Sequence, residues 1–582
     1  MLENSKILNI NSRVITLKLG LDVYNLENLI NKYIVFNDDK KFIAEISGIN
    51  EDVVETFLLG YIEDNKFTFG DLLKPSFKAK ISFITKEELD IIYSEDKQNL
   101  SIGSSYIYPE YRIGLDVNKF FSNHFAILGN SGSGKSYSVT SIIQKIFYDS
   151  TSSPFKSNIF IFDVYGEYKN CFTEIGKKFN NINYRLITTD LTDNEEHLSL
   201  PFYLLSTDDI ALLLQVEDRK QISIIDKALN LVSLFADEEE KVIDYKNDII
   251  ARCLLDIIYN NNNLQIRTQI VSVLSKFHTK DIYLDKPLKR GGWTLTLKQC
   301  LYINETGKIQ DIELVCDYLE SFVRVDLKFD DSKSKKNYTI ENFYTALEFA
   351  LVSEGILNSS KVFDYANILK VRLDALIKSN SRKYFLYNDL VDRREYICRL
   401  LMDNNNRKYQ IINFNINSLD DRFAKTIVKI LSKWLFDFAT SLTPRAKFPV
   451  HILLEEAHRY VQNDSDTELL GYNIFDRIAK EGRKYGIILG LISQRPSELS
   501  EVTISQASNF LIFKMFHKED LNFVSSILPN VAGYNVDRLK MLYPGVCMAT
   551  GVSFKMPTII NVDLPNPAPN SSNVDIRQTW YN

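Results

Sequence analysis

Two hydrophobic rhythms divide the chain. From residue 1 to about 105, apolar runs of four or five residues alternate with polar turns. Examples are Arg13-Val14-Ile15-Thr16-Leu17, Tyr33-Ile34-Val35-Phe36 closed by Asn37-Asp38-Asp39, and Ala79-Lys80-Ile81-Ser82-Phe83. Short β-branched and aromatic runs bounded by Asn and Asp predict strands, so residues 1–105 are expected to form a small all-β, barrel-like unit. Over 106–200 the pattern becomes strand, loop, helix, strand, which predicts a parallel α/β sheet. From 201 to 405 the apolar spacing is helical, as in Ile210, Leu213 and Leu214 or Ile222, Ile225 and Leu229. Polar stretches at Asn260 to Asn263 and Asp330 to Asn337 are expected loops in this insertion. The α/β pattern returns over 406–563. Residues 564–582, with Pro565, Pro567 and Pro569, are expected to form an extended arm rather than a packed element.

The α/β segments carry the candidate chemistry. Gly129-Asn130-Ser131-Gly132-Ser133-Gly134-Lys135-Ser136 matches Gly-x-x-x-x-Gly-Lys-Ser/Thr in full. An apolar strand, Phe125-Ala126-Ile127-Leu128, precedes it. A run with Val139, Ile142, Ile143 and Ile146 on one helical face follows. The glycines let successive N–H groups point at phosphate oxygens, and the helix N-terminus adds its positive end. Lys135 is expected at the β- and γ-phosphates of ATP, and Ser136 on Mg2+. An ordinary Gly-rich turn is the competing reading; the flanking strand and helix argue against it.

Val450-His451-Ile452-Leu453-Leu454-Glu455-Glu456-Ala457-His458 predicts a buried strand ending in two carboxylates. Its expected place is beside the P-loop strand, with its C-terminal end facing the nucleotide. Glu455 would then hold the Mg2+ shell through water, and Glu456 would act as general base on the attacking water. Asp is more usual at the first of these positions, and Glu455 reaches the same shell with a longer arm. His458 is expected as a structural neighbour of Glu456. A third strand, Ile487-Ile488-Leu489-Gly490-Leu491-Ile492-Ser493, ends at Gln494, placed to sense the γ-phosphate. For each strand the alternative is a solvated polar terminus.

Taken in order, four segments resemble the HerA branch of the HerA–FtsK ATPases. They are Asn123-His124-Phe125-Ala126-Ile127-Leu128-Gly129, Phe162-Asp163-Val164-Tyr165-Gly166-Glu167-Tyr168, Glu455-Glu456-Ala457-His458, and Arg477-Ile478-Ala479-Lys480-Glu481-Gly482-Arg483-Lys484-Tyr485-Gly486 running into Ser493-Gln494-Arg495-Pro496. The resemblance implies an α/β fold: a RecA-like P-loop ATPase core, split by a helical insertion and preceded by the β-barrel-like domain. It also implies a homo-hexameric ring with ATP sites between subunits. A neighbour's arginine would complete each site, Arg483 first and Arg477 second, against the alternative of plain helix-surface charges. Asp163 and Glu167 would lie near the nucleotide, or simply cap a turn. Lys169 and the Arg459 to Gly471 loop are candidates to line the bore.

The family further implies translocation on duplex DNA through the central channel, with a partner nuclease or a NAD-consuming effector. Antiviral defence and DNA end processing are the expected settings. The alternative is an ATP-gated scaffold ring that assembles and activates an effector without processive movement. A protein remodeller is a third, weaker reading.

Composition narrows these options. Hydrophobic residues at 45% and charged residues at 25% suit a globular protein, and no apolar stretch reaches the roughly 20 residues a bilayer requires. The N-terminus has no basic-then-apolar leader pattern. Together these predict a cytoplasmic protein with no membrane role. The six cysteines are scattered singly, which argues against disulfides and zinc. A net charge of −6 excludes a whole-surface coat for nucleic acid and leaves room only for a local basic lining.

Overall fold

Alternation of buried and exposed positions builds the first sheet. The computed structural model describes residues 5–20, 29–93, 99–148, 154–178, 182–236, 239–305, 307–324, 337–353, 360–528, 533–571 and 576–581. They form two units: 1–196 with 397–464 and 473–582, and 197–396 with 465–472. In the first unit, seven antiparallel strands run in the order Lys6–Ile10, Val14–Lys18, Val53–Glu63, Lys41–Asn50, Tyr33–Asn37, Lys80–Phe83, with Lys66–Phe69 also paired to Val53–Glu63. Ile15, Leu17, Ile34, Phe36, Ala44, Ile46 and Val54 fill its core. The turn at Asp64-Asn65 has φ of 50° and 57°, left-handed at both residues, as a two-residue hairpin turn demands.

Asn99–Ser105, expected at the end of this β unit, belongs instead to a second, twelve-stranded sheet. There it pairs with Arg112–Asp116 and Thr558–Val562. Gly103 makes the pairing possible, because a Cβ there would lie 2.2 Å from the Asn561 carbonyl oxygen.

The centre of the second sheet is parallel. In spatial order its strands are Tyr184–Thr188, Ile411–Asn415, Ile159–Asp163, Val450–Leu454, Ile487–Ser493, His124–Leu128 and Ala507–Ile512. Five of them are buried almost throughout, the mark of a parallel sheet covered on both faces. This order corrects one expectation. The strand ending in Glu455-Glu456 is not beside the P-loop strand; Ile487–Ser493 lies between them. The two carboxylates therefore face the P-loop across one intervening strand, about 10 Å of sheet.

Helix Lys135–Tyr148 follows the P-loop and buries Val139, Ile142, Ile143 and Phe147. Helix Asp421–Ser441 starts at Asp420, whose carboxylate accepts from Arg422 N and Phe423 N at 3.1 and 3.0 Å. It packs Ile427, Leu431, Trp434 and Leu435 inward.

The second unit is mostly helical: Arg219–Leu231, Glu239–Asn260, Asn263–Lys276, Ile312–Glu320, Ile340–Ser353 and Ser360–Lys378. Asn262, inside one expected loop, caps a helix through Gln265 N. A hairpin, Pro287–Arg290 with Trp293–Thr296, was not expected in this region. Of the other expected loop, 330–336 lie outside the described residues. Among the described residues no helix is long and apolar enough to cross a membrane.

The C-terminal arm is extended and largely exposed, as expected, but it is docked at Pro565 to Asn570 and by the residue just before it. Asp563 pairs with Arg112 and Lys145. The buried Gln144 amide donates to the carbonyls of Pro567 and Cys171 at 2.8 and 2.9 Å, and its oxygen accepts from Asn566 N at 2.8 Å. Asn570 N donates to Glu167 O at 2.9 Å. Prolines cannot satisfy one another's backbone, and Gln144 supplies the missing partners. The stretch ends in a short helix, Ile576–Tyr581. Replacing Gln144 by Ala is expected to destabilise the docked arm by about 1–3 kcal/mol. Timed trypsin digestion should then show faster cleavage after Arg577; an unchanged rate would mean that the arm is held by other contacts.

Candidate nucleotide-binding site

The P-loop is braced from both neighbouring strands. Gly129 N donates to Ser493 O at 3.2 Å, and Asn130 N donates to Lys514 O at 2.9 Å. Gly545 N reaches in from a third segment to Ser133 O at 2.9 Å. Gly134 has φ of 112°, and a Cβ there would sit 3.0 Å from Gly545 N, so this position needs glycine twice over. The eight residues Gly129 to Ser136 thus form one rigid loop, with Lys135 and Ser136 opening the helix. Lys135 Nζ donates to Asn130 O at 3.0 Å. Burial lowers the Lys135 pKa, with Glu456, Glu455 and Glu167 pulling the other way.

Facing this loop is a cluster of carboxylates. Ser136 Oγ donates to Glu455 Oε1 at 3.4 Å, and the buried Glu455 Oε2 has no hydrogen-bond partner. Burial first, and the neighbouring Asp163 carboxylate second, hold Glu455 well above the usual carboxylate range. Asp163 is likewise raised by burial, although its carboxylate accepts from Glu167 N at 3.1 Å, Tyr168 N at 2.9 Å and Asn413 Nδ2 at 3.3 Å. Asp163 therefore does cap the turn after its strand. Burial also raises Glu167, with the Ser136 hydroxyl holding it back in part.

A cation suits this arrangement. A hydroxyl and an orphaned buried carboxylate oxygen stand together, and a hard divalent ion prefers oxygen donors. Among the described residues no three acidic, His or Cys side chains converge to hold a metal by themselves. Mg2+ would then depend on Ser136, Glu455, water and phosphate oxygens, as is common for magnesium–nucleotide sites.

Glu456 sits at φ 47°, ψ 48°, left-handed for a residue that ordinarily avoids this region, and is buried. Gln494 Nε2 donates to its Oε1. Its Oε2 lies 3.4 Å from His458 Nδ1, which in turn is 3.1 Å from Ser493 Oγ. Lys135, Ser136, Glu455, Glu456 and Gln494 are thus brought together.

Arg477 and Arg483 are not. They belong to helix Ile474–Glu481 and the turn after it, which precede strand Ile487–Ser493, whereas Gln494 follows that strand. The seven residues of that strand span about 20 Å, which sets both arginines far from the P-loop of their own chain. His124, first residue of the P-loop strand, ties this helix down: its Nε2 meets Ala479 O at 3.1 Å and its Nδ1 accepts from Leu489 N at 2.9 Å. Burial depresses the His124 pKa to about 4. Arg477 stacks on Phe436 and lies 3.8 Å from Glu481. Arg483 is exposed and has no ion pair among the described residues. Of the bore candidates, Lys169 is engaged by Asp193 at 2.9 Å and Arg459 by Asp421.

Sequence reasoning missed the bracing of the P-loop by Gly545 and Lys514, the bond from Asn413 to Asp163, and the contact of Asn570 with Glu167. The Pro544-Gly545 pair was visible as a turn signal, but nothing local marks its distant partner.

A braced phosphate loop, a lysine and serine at a helix start, and strand-end carboxylates across a parallel sheet define a RecA-like P-loop ATPase. Residues 100–314 match the family described as Helicase HerA, central domain. The DNA double-strand break repair helicase HerA of Pyrococcus furiosus is 23% identical over 527 residues, covering 89% of this chain and 79% of the relative. The protein of the same description from Sulfolobus acidocaldarius is 24% identical over 560 residues, covering 93% and 85%. Among solved structures, VirB4 of Thermoanaerobacter pseudethanolicus aligns with a TM-score of 0.46 and 12% identity, over 81% of this chain and 97% of that one. The chain is a P-loop ATPase, similar to HerA helicases over most of its length.

The raised carboxylates give a pH signature. A carboxyl whose folded pKa is raised contributes stability below its ordinary value, and that stability is lost as pH climbs through the folded value. At neutral pH the Glu455 cluster therefore works against folding. Glu455→Gln should raise the melting temperature at pH 7.5, and the gain should shrink towards pH 5. Parallel thermal melts of both proteins at the two pH values check this; an equal or lower melting temperature at pH 7.5 contradicts it.

Proposed function

We propose that the protein is an ATP-hydrolysing homo-hexameric motor that moves on duplex DNA. The observation that carries this reading is the split of the machinery within one chain. Glu456 and Gln494 stand with the P-loop, while Arg483 is exposed on the far side of the strand that Gln494 terminates. A transition state carrying extra charge on the γ-phosphate needs a cation there. Arg483 of a neighbouring copy would add to the charge that Lys135 supplies there.

In the proposed reaction ATP lies on the backbone N–H groups of Gly129 to Ser136, with Lys135 at its β- and γ-phosphates. Ser136 and Glu455 hold the Mg2+ shell, and the ion neutralises phosphate charge. Glu456 takes a proton from the attacking water, and Gln494 touches the γ-phosphate. The neighbour's Arg483 then links hydrolysis to subunit contacts. DNA as the track is supported by the relatives, which are DNA double-strand break repair helicases. A net charge of −6 is compatible with DNA contact through a local basic lining of the proposed ring. A nuclease or NAD-consuming effector as partner, and antiviral defence or end processing as setting, extend this reading by family analogy.

ATPase rates with and without duplex DNA test it. DNA should raise the wild-type rate, and Lys135→Ala and Glu456→Gln should each lower it at least ~100-fold. ATP turnover indifferent to DNA would favour the scaffold ring. Arg483→Ala and Lys135→Ala should each be inactive alone yet regain activity when mixed and reassembled. In mixed rings an intact P-loop would meet an intact arginine. Absence of recovery would remove Arg483 from the neighbour's site.

A further inference from the structure

The residue proposed as base and the residue proposed as γ-phosphate sensor are bonded to each other. Glu456 and Gln494 end neighbouring parallel strands, paired in register at Leu454 and Leu491. Gln494 Nε2 donates to Glu456 Oε1. The other carboxylate oxygen is buried, accepts no hydrogen bond, and lies 3.4 Å from His458 Nδ1. His458 is itself placed by Ser493 Oγ at 3.1 Å, and that hydroxyl accepts from Arg495 N at 3.0 Å. The four side chains span the ends of both strands. The left-handed backbone at Glu456 aims its side chain into this group rather than along the strand.

Such an arrangement is unsuited to catalysis as it stands. One of the two Glu456 oxygens is occupied by the Gln494 amide and is not free to accept a proton from a water on the γ-phosphate. Of the two N–H groups on Gln494 Nε2, the one that holds Glu456 is not available to the γ-phosphate while that bond lasts. We propose that Gln494 and Glu456 form a resting latch that the γ-phosphate opens: the phosphate oxygens take over the Gln494 amide, and the freed Glu456 carboxylate, still flanked by His458, turns to the attacking water. Gln494 is then a positioning residue that acts through Glu456, and ADP, which has no γ-phosphate, leaves the latch shut. This rests on the ATPase assignment of the site and adds the order of events within it.

The latch has a thermodynamic consequence that does not require turnover. A ligand that needs the open state loses affinity in proportion to the rarity of that state, whereas one indifferent to it does not. In wild type, ATP binding must break a hydrogen bond to a charged acceptor. In Glu456→Gln that bond is to a neutral amide and is weaker.

The test measures affinities of the full-length protein for a non-hydrolysable ATP analogue and for ADP, both with Mg2+. It uses wild type, Glu456→Gln, Gln494→Leu and the double variant. Glu456→Gln should bind the analogue about tenfold tighter relative to ADP than wild type does. In the Gln494→Leu background, adding Glu456→Gln should leave the ratio of the two affinities unchanged. ADP affinity retained in all four reports that the fold is intact. If Glu456→Gln leaves the wild-type ratio in place, there is no latch. If the gain persists without Gln494, relief of charge repulsion between Glu456 and the γ-phosphate explains it, and the latch is again refuted. Failure of wild type to bind either nucleotide would overturn the site assignment itself, a result distinct from both.

Discussion

Three carboxylates, Glu167, Glu455 and Glu456, act on the Lys135 ammonium, and a fourth, Asp163, lies beside Glu455 and Glu167. Taking charge out of water is costly unless it is paired or hydrogen-bonded. The surrounding structure deals with each acid differently. Two backbone N–H groups and Asn413 satisfy Asp163. An amide satisfies half of Glu456. Glu455 retains an unmet oxygen. The ligand that completes such a cluster must bring positive charge with it, and a bare polyphosphate would add to the repulsion. A magnesium–nucleotide complex meets that demand at the only hydroxyl in the loop that faces Glu455.

The order of strands turns this electrostatic demand into a mechanical one. Because Ile487–Ser493 separates the P-loop strand from the Glu456 strand, Gln494 at its end stands between the P-loop and Glu456. The same strand is entered from the helix and turn that carry Arg477 and Arg483. His124 fastens that helix to the start of the P-loop strand. One fully buried strand therefore joins Gln494 to the exposed turn that carries Arg483. A shift at one end has few soft degrees of freedom in which to be absorbed.

How far this could be read in advance follows from the range of the interactions involved. The P-loop and its flanking elements are local: glycines, lysine, an apolar run before and a helical face after, all within about 20 residues. The strands ending in Glu455-Glu456 and in Gln494 were equally legible, because fully buried parallel strands read as unbroken apolar runs. Their spatial order was not, since several arrangements keep the same runs buried. Residues 99–105 look like one more short strand of the β unit; only the close approach to Asn561 that Gly103 permits sends them to the other sheet. The arm misled for a similar reason. Pro565, Pro567 and Pro569 announce an extended backbone correctly, but its anchor, Gln144, lies more than 400 residues away in the chain. The hairpin Pro287–Arg290 with Trp293–Thr296 has the Gly291-Gly292 turn signal, passed over inside a helical rhythm.

The docked arm also changes what the phosphate loop is attached to. Helix Lys135–Tyr148 begins at the P-loop and, near its far end, holds the arm through Gln144 and the residue before the arm, Asp563, through Lys145. The arm then returns to the backbone of Glu167, beside Ser136. The loop, its helix, the arm and the Asp163–Glu167 turn thus make a closed circuit of hydrogen bonds around the acidic cluster. Closed circuits restrict how a site can relax: Glu167 cannot move away from Ser136 without straining the arm, and the arm cannot leave without exposing the buried amide of Gln144. Relaxation on nucleotide entry is therefore directed to the part of the cluster outside the circuit, the Glu456–Gln494–His458 group, where side chains rather than backbone make the contacts. Mobility at the reacting end of the site, set against rigidity at the phosphate-holding end, is what a hydrolytic site requires if it is to bind first and react second.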